Sequence, residues 1–139
     1  MEPIVCESVR YVAECQDCGA ELECWGTQAL VQGRLEWDVV SSCAACGSAF
    51  AVCFGDIPSE RRAQLLSEHG AATLRVIGPS ARRVVIMRVL RAELGTDLVG
   101  AKSVLGSVLE GGYAGTLPEM ELLARKLRAA GITAEATRP

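Results

Sequence analysis

Aromatic side chains, histidine and long apolar runs are all scarce in this 139-residue chain. Aromatic residues make up only 4% of it. No apolar run approaches the ~20 residues that a membrane-spanning helix requires, and the first residues have neither the basic nor the apolar region of a secretory signal. These absences predict a soluble protein without membrane contact, which we expect to be cytoplasmic.

Residue patterns typical of catalysis are also absent. His69 is the only histidine, and its place at the end of a predicted helix favours a cation near the helix C-terminus over a general base. The glycines between residues 106 and 115 lack the lysine and the spacing of a phosphate-binding loop. No sequence motif places two carboxylates together as a general acid and base. The sequence therefore favours a binding protein over an enzyme.

Cysteine, by contrast, is plentiful, and four of the seven cysteines lie in two short repeats. Residues 15–19 read CQDCG and residues 43–47 read CAACG. Two cysteines separated by two residues can bind one ion, and two such pairs complete the tetrahedron that Zn²⁺ prefers in structural sites. The glycine after each pair suits a turn with positive φ, where backbone amides can hydrogen-bond thiolates. The sequence predicts a metal site with four ligands: Cys15, Cys18, Cys43 and Cys46.

A structural Zn²⁺ is the cofactor that we expect. Iron is the alternative, because a rubredoxin-type site also uses two such knuckles, although the chain lacks that family's proline in the second knuckle and its core aromatics. Disulfides are disfavoured, because the number of cysteines is odd and no secretory signal implies an oxidising compartment. Cys24 and Cys53 each follow a knuckle, and we expect them to pack in the core, with a redox partner or substitute ligand as the alternative. Cys6 has no assigned role.

The residues around the two cysteine pairs predict short strands. These are 8–14, 21–25, 34–40 and 49–54. The alternation is clearest where Leu35, Trp37 and Val39 are separated by charged residues. A strand, a knuckle and a strand, repeated twice, is the plan of a zinc ribbon, to which we assign residues 1–57.

So short a ribbon has few large side chains with which to build a core. Metal binding should therefore be a condition of its folding. Trp25 and Trp37 are expected to cover the sheet, with an exposed aromatic recognition site as the alternative.

Charge divides the chain into an acidic and a basic half. Residues 1–70 hold four basic and eleven acidic residues, a net −7, and residues 71–139 hold ten and six, a net +4; the sum is the −3 of the whole chain. Four thiolates on one Zn²⁺ would make the acidic half still more negative. That half should repel phosphate backbones, which disfavours nucleic acid as the partner of the ribbon. Nucleic-acid binding through the basic half is a remaining alternative.

Residues 58–70 are predicted to form a connecting helix, since Pro58 suits a first turn and Gly70 can end it. Residues 71–139 then carry a β-α-α-β-α-β pattern. Its third helix begins with a capping-box pair, Thr116 and Glu119. The expected fold class is therefore α+β, with a small β ribbon before a mixed domain.

The helix predicted over residues 82–94 has two different faces. At 100° per residue one face is apolar and should contact the core; it consists of Val85, Ile86, Val89, Leu90 and Leu94. The other face joins two apolar residues to two arginines; it consists of Val84, Met87, Arg88 and Arg91. Such a stripe is a plausible docking surface for an acidic protein helix, with an inert face as the alternative.

The same helix begins a series of motifs. They are RVVIMRVLR at 83–91, Gly95, Leu98, Ala101 with Lys102, and LRAAGI at 127–132. Over about residues 72–136 these motifs resemble the C-terminal domain of the bacterial ribosomal stalk protein. The resemblance implies that domain's β-α-α-β-α-β fold and its hydrophobic and basic face, which recruits translational GTPases. By motif, that face corresponds to Val84, Met87, Arg88, Arg91 and Lys102.

The chain departs from that family in two ways. The Gly-Leu-Gly-Leu of the family is Gly-Thr-Asp-Leu at residues 95–98, and its acidic residue two positions before the lysine is Gly100. A ribbon also stands where the family has a dimerisation segment and a hinge. We therefore expect a non-catalytic adaptor or regulator whose partner is a translational GTPase or another complex subunit. A Clp-protease adaptor has a similar fold, and an iron or thiol redox protein is the alternative of another class.

Overall fold

A computed structural model of the chain describes residues 3–78 and 82–138. They divide into two units, Met1–His69 and Gly70–Pro139. The first unit holds a four-stranded antiparallel sheet and one helix, and the second holds a three-stranded sheet and three helices. This is the α+β class that the sequence predicts. No helix in these residues is long and apolar enough to cross a bilayer.

The sheet of the first unit is a meander in which each strand pairs with the next. Its strands are β1 (Val5–Glu14), β2 (Glu21–Val31), β3 (Arg34–Ser42) and β4 (Ala49–Phe54). The β2–β3 hairpin turns through Gln32 and Gly33, which both have positive φ, as a two-residue hairpin turn requires. Because neighbouring strands are antiparallel, the β1–β2 and β3–β4 turns lie at the same end of the sheet. Those two turns contain the cysteine pairs.

One face of this sheet is covered by helix α1 (Ser59–His69), which packs against β1. Leu65 of α1 is 1% exposed and joins a core cluster with Val9, Leu22, Trp37 and Val39. The helix that the sequence analysis treated as a connector is therefore part of the first unit.

Helix α1 also covers the free edge of β1. The Gln64 side-chain amide donates to the Arg10 carbonyl at 2.7 Å, and Nε2 of His69 lies 2.7 Å from the Ser8 carbonyl. Nδ1 of His69 lies 3.7 Å from the carboxylate of Glu7, whose side chain is 5% exposed. The histidine thus binds the edge of the sheet, a contact that its sequence position did not indicate.

The two tryptophans lie on opposite faces of the sheet. Trp37 is buried over Gly26, where any Cβ would collide with the indole ring. Trp25 pairs with Val40, which lies three residues from Trp37 on β3 and therefore on the opposite face of the sheet. The side chain of Trp25 thus points to that opposite face and is 49% exposed. The Arg10 guanidinium stacks on it, 4.2 Å from the ring centre. Only Trp37 therefore has the covering role expected of both.

The second unit has the predicted element order. Its elements are β5 (Ala72–Ile77), α2 (Arg83–Leu94), α3 (Leu98–Leu109), β6 (Ala114–Gly115), α4 (Leu117–Ala129) and β7 (Thr133–Thr137). Strand β5 is central and antiparallel to both neighbours. The predicted capping box begins α4: Thr116 Oγ1 accepts from the Glu119 amide, and the Glu119 carboxylate accepts from the Thr116 amide.

Apolar residues from all three helices and the sheet form the core of the second unit. Its most buried large members are Leu74, Ile86, Leu90 and Leu127. Leu94, which the sequence assigned to the core face of α2, is instead 39% exposed. It is the last residue of the helix, and Gly95 turns the chain away with φ of 60°.

Candidate metal centre and helix face

The two cysteine knuckles have the same backbone geometry. The Cys15 amide donates to the Ala20 carbonyl and the Gly19 amide to the Cys15 carbonyl, both at 2.8 Å. The second knuckle repeats these bonds at 2.8 Å, from Cys43 to Ser48 and from Gly47 to Cys43. The glycines have φ of 74° and 77°, a conformation that glycine adopts without the strain of a Cβ.

The knuckles bring all four predicted ligand sulfurs together. These sulfurs lie within 4.8 Å of one another, with Cys15 to Cys46 at 3.8 Å and Cys18 to Cys43 at 3.6 Å. These distances are far too long for a disulfide, whose bond is about 2.0 Å. They match the edge of a tetrahedron with metal–sulfur bonds of about 2.3 Å, which is roughly 3.8 Å. The cluster could therefore hold one tetrahedral metal ion.

Burial differs within each knuckle. Cys15 and Cys43 are 1% and 2% exposed and belong to the core cluster, whereas Cys18 and Cys46 are exposed. The first sulfur of each pair thus connects the site to the core, and the second faces solvent. A bound ion would be covered by protein on one side only.

The sulfurs differ in their hydrogen bonds. The pKa of Cys46 is lowered to about 6, chiefly because the Ser48 hydroxyl bonds its sulfur, with a further bond from the Ser48 amide. The Ala20 amide lowers the pKa of Cys18 in the same way, but the hydrogen bond with Cys43, desolvation and the nearby Cys46 and Cys15 together raise it to about 12. Four thiolates this close repel one another, so their joint ionisation requires a cation.

Ser48 also joins the two knuckles. Its hydroxyl lies 3.1 Å from Cys46 Sγ and 2.6 Å from the Asp17 carboxylate of the other knuckle, so when Cys46 is ionised the single hydroxyl proton can be donated to either acceptor. Groups that hydrogen-bond metal ligands commonly tune affinity for the metal. Sequence reasoning missed this residue, and its place two positions after the last ligand was the only available signal.

The three other cysteines lie outside the cluster. Cys24 is buried, as expected, and accepts a hydrogen bond from Ser41 at 3.4 Å. The expectation of core packing is wrong for Cys53, which is exposed because β4 is an edge strand. A hydrogen bond with Asp38 and the charge of that carboxylate raise the pKa of Cys53. Cys6 is also exposed.

The five predicted partner-binding residues lie along α2 and α3 of the second unit. Val84 and Met87 border two adjoining concavities of about 520 and 510 Å³. Arg88 and Arg91 line the first, and Lys102 lines the second. The structure therefore brings all five onto one continuous helix face, which we call the α2–α3 face.

This face is more apolar than the sequence indicated. Val84 is 69% exposed, and the concavities also include Leu98 and Leu109, which are 49% and 36% exposed. Sequence reasoning missed these two leucines because their exposure depends on the packing of α3 against α2. Together the apolar residues form a strip that is bordered mainly by cationic side chains, with one acidic residue, Glu110, in the second concavity.

The packing at the start of α3 leaves no room for a side chain at Gly100 unless Thr96 moves. Asp97 caps the helix by accepting from the Gly100 amide at 2.8 Å. A Cβ at Gly100 would collide with Oγ1 of Thr96.

No family model, curated protein or solved structure matches this chain. The two candidate sites thus depend on the geometry of their own residues.

Proposed function

We propose that the first unit is a zinc ribbon in which Zn²⁺ has a structural role. The four-thiol cluster with sulfur separations of 3.6 and 3.8 Å supports this proposal. Structural zinc sites are closed, with four protein ligands and no position for substrate. Two of these ligands are also core residues, so a bound ion would stabilise the fold directly.

Elemental analysis of the purified protein tests this proposal. We expect one zinc per chain, and loss of that zinc in Cys18→Ser. Cys53→Ser is the matched control, because Cys53 is equally a solvent-exposed cysteine but lies outside the cluster. Zinc retained in Cys18→Ser would contradict the assignment of the ligands.

An iron-loaded redox protein is the second candidate, favoured by the exposure of Cys18 and Cys46. Exposed ligand sulfurs would allow an electron-transfer partner to come close to the ion. Visible absorption of the air-oxidised protein separates the two candidates, since a ferric–thiolate protein is red and a zinc–thiolate protein is colourless.

We further propose that the protein is a non-catalytic adaptor or regulator that docks a protein partner on the α2–α3 face. The observation that carries this proposal is that all five residues chosen from the sequence line two adjoining concavities. Surface-exposed apolar residues are ordinary when single, but a continuous strip of them favours an interface.

The charges beside the strip indicate the chemistry of the partner. Arg88, Arg91 and Lys102 line the two concavities together with Val84 and Met87. A partner helix with apolar residues at i, i+3 or i+4 and acidic residues beside them would match this surface. The element order of the second unit supports a translational GTPase as the first partner to test, and another complex subunit as the next.

A double substitution at the centre of the face tests the adaptor proposal. We expect Met87→Glu with Arg88→Glu to abolish binding to a translational GTPase in a pull-down with purified proteins, because it replaces an apolar and a cationic contact by two acids. The matched control is Ile77→Glu with Arg75→Glu on β5, where the isoleucine is 48% exposed and the arginine is also exposed. Equal binding by both double variants would contradict this face.

A further inference from the structure

The described residues form two sheets with four edges, and three of these edges are protected. The β1 edge is bound by Gln64 and His69 of α1. Strand β6 has only two residues, and β7 carries an exposed glutamate, Glu135, while its Ala134 carbonyl accepts from Arg128 at 2.8 Å. Short length, charge and cover are the usual means by which proteins prevent pairing between edge strands.

The fourth edge, strand β4, differs in each of these respects. It is six residues long, with the sequence AFAVCF, and contains neither charge nor proline. It pairs with β3 on one side, and in the described part of the chain no strand pairs with its other side. The side chains of residues 49–53 are all exposed, including Phe50 at 37% and Val52 at 43%.

Phe50 and Val52 are exposed although they lie on the core-facing side of the first sheet. In the sheet register Phe50 pairs with Ser41 and Val52 with Val39, and both of these β3 residues are buried. The core-facing side of the sheet is therefore covered as far as β3 and uncovered at β4. Tyr11, Leu22 and Cys24 line the same concavity as Phe50 and Val52.

We propose that β4 pairs with β4 of a second copy of this chain, which joins the two four-stranded sheets into one of eight strands. A two-fold axis perpendicular to the sheet makes the two strands antiparallel and keeps both core-facing surfaces on the same side. A register that sets Ala51 opposite its own copy brings Phe50 of one chain beside Val52 of the other. Cross-strand pairs of aromatic and β-branched residues are among the stabilising ones.

The absence of charge identifies a second copy as the occupant. An uncharged strand can lie beside its own copy without placing like charges opposite each other, which would destabilise the pair. The pairing is isologous and uses the one unprotected edge of the described residues, so the assembly closes at two chains. The remaining charge of the acidic halves opposes association, and salt screens that repulsion because the Debye length is about 8 Å at physiological ionic strength. The dimer should therefore become tighter as salt increases.

Sedimentation of the full metal-loaded chain tests this proposal. We expect a concentration-dependent shift from 14.7 kDa to twice that mass, at lower protein concentration in high salt. Val52→Lys should remain at the monomer mass, because it places two cations beside the new strand pair. Val12→Lys is the matched control: it makes the same change in charge on the opposite edge strand, at a valine that is 61% exposed, and it should dimerise like the wild type.

Each other outcome would overturn the proposal. A wild-type mass of 14.7 kDa at every concentration, a series of larger species, or equal loss of the dimer in both lysine variants contradicts closed β4 pairing. Ala51→Lys repeats the test on the other face of β4 in case Val52→Lys disturbs the fold, with retained zinc as the check of folding. Hydrogen exchange gives a second measurement, since the amides of β4 that point away from β3 should exchange more slowly only at concentrations where the dimer forms.

Discussion

The two units are almost equal in length but are built around different kinds of core. In the first, two cysteines of the four-thiol cluster, Cys15 and Cys43, belong to the buried core, and Trp37 is its largest member. In the second, aliphatic residues from three helices and the sheet form a larger cluster that contains no metal ligand. The comparison teaches that two units of similar length can be built around different cores, one that includes two thiols of a possible metal cluster and one made by aliphatic burial alone.

The same comparison places the two candidate sites in different units. The four-thiol cluster ties two turns of one sheet together, whereas the α2–α3 face lies in the unit whose core is independent of that cluster. Perturbing one unit should therefore leave the structure of the other intact. The predictions below use this difference, from the largest expected effect to the smallest.

Metal removal should unfold the first unit and leave the second folded. Binding of a structural Zn²⁺ contributes about 10–16 kcal/mol in zinc-finger peptides at pH 7, which is comparable to the whole net stability of a folded domain, about 5–15 kcal/mol. Treatment of the full chain with a strong chelator should therefore abolish hydrogen-exchange protection in β1 to β4. Protection in α2, α3 and α4 should persist.

Acidification offers an independent way to remove the metal. Cysteine thiols must lose their protons to bind the ion, so falling pH should release the ion and unfold the same unit. Retained protection of β1 to β4 in protein shown by elemental analysis to be metal-free would contradict the metal-dependent core.

Leu127→Ala should destabilise the second unit and leave the first unit unchanged. Leu127 is 0% exposed at the centre of the second core, and such a truncation costs about 2–5 kcal/mol. Urea unfolding of the full chain should show a weaker transition for the second unit and an unchanged metal content. Leu94→Ala, at 39% exposure in the same unit, is the matched control and should cost much less. An equal loss of unfolding free energy in the two variants would support the sequence-based assignment of Leu94 to the core.

Local spacing made the main features of both units predictable from the sequence. Four ligands were identified because two CxxC pairs must each bring their sulfurs together, and that property depends on five consecutive residues at a time. The capping box at Thr116 and the helix face of Val84 and Met87 are also local, because helical geometry fixes which neighbours share a side.

Features that depend on distant packing could not be predicted in this way. The sequence predicted burial for both Cys24 and Cys53, and it was wrong for Cys53 because that residue lies on an edge strand, whereas Cys24 lies on a central one. Strand order is not encoded in the neighbours of either residue. The bond of His69 to the Ser8 carbonyl joins residues 61 positions apart. The unprotected edge of β4 becomes evident only when the protection of β1 by α1 is known.

Ser48→Ala should weaken metal binding without changing the second unit. It removes the hydroxyl that contacts Cys46 Sγ and Asp17, and loss of such a supporting group typically lowers metal affinity about 10- to 100-fold. A competition titration with a chromophoric chelator measures the change. Ser42→Ala is the control, because Ser42 is exposed at the end of β3, next to the same knuckle. Similar affinity in the two variants would remove Ser48 from the site.

Substitutions at Thr116 should give the smallest effect and should be confined to the second unit. Thr116→Val preserves shape at this 1% exposed position but removes the oxygen that accepts from the Glu119 amide at 3.3 Å. Loss of such an N-cap costs about 1 kcal/mol. Thr116→Ser keeps the oxygen and loses only a methyl group, so it should retain more of the stability of α4 if the cap, and not the packing, is the larger contribution. Thermal unfolding of the zinc-loaded pair decides between them: a less stable Ser variant would assign the role of Thr116 to packing, and a change in metal content in either variant would show that the two units are coupled.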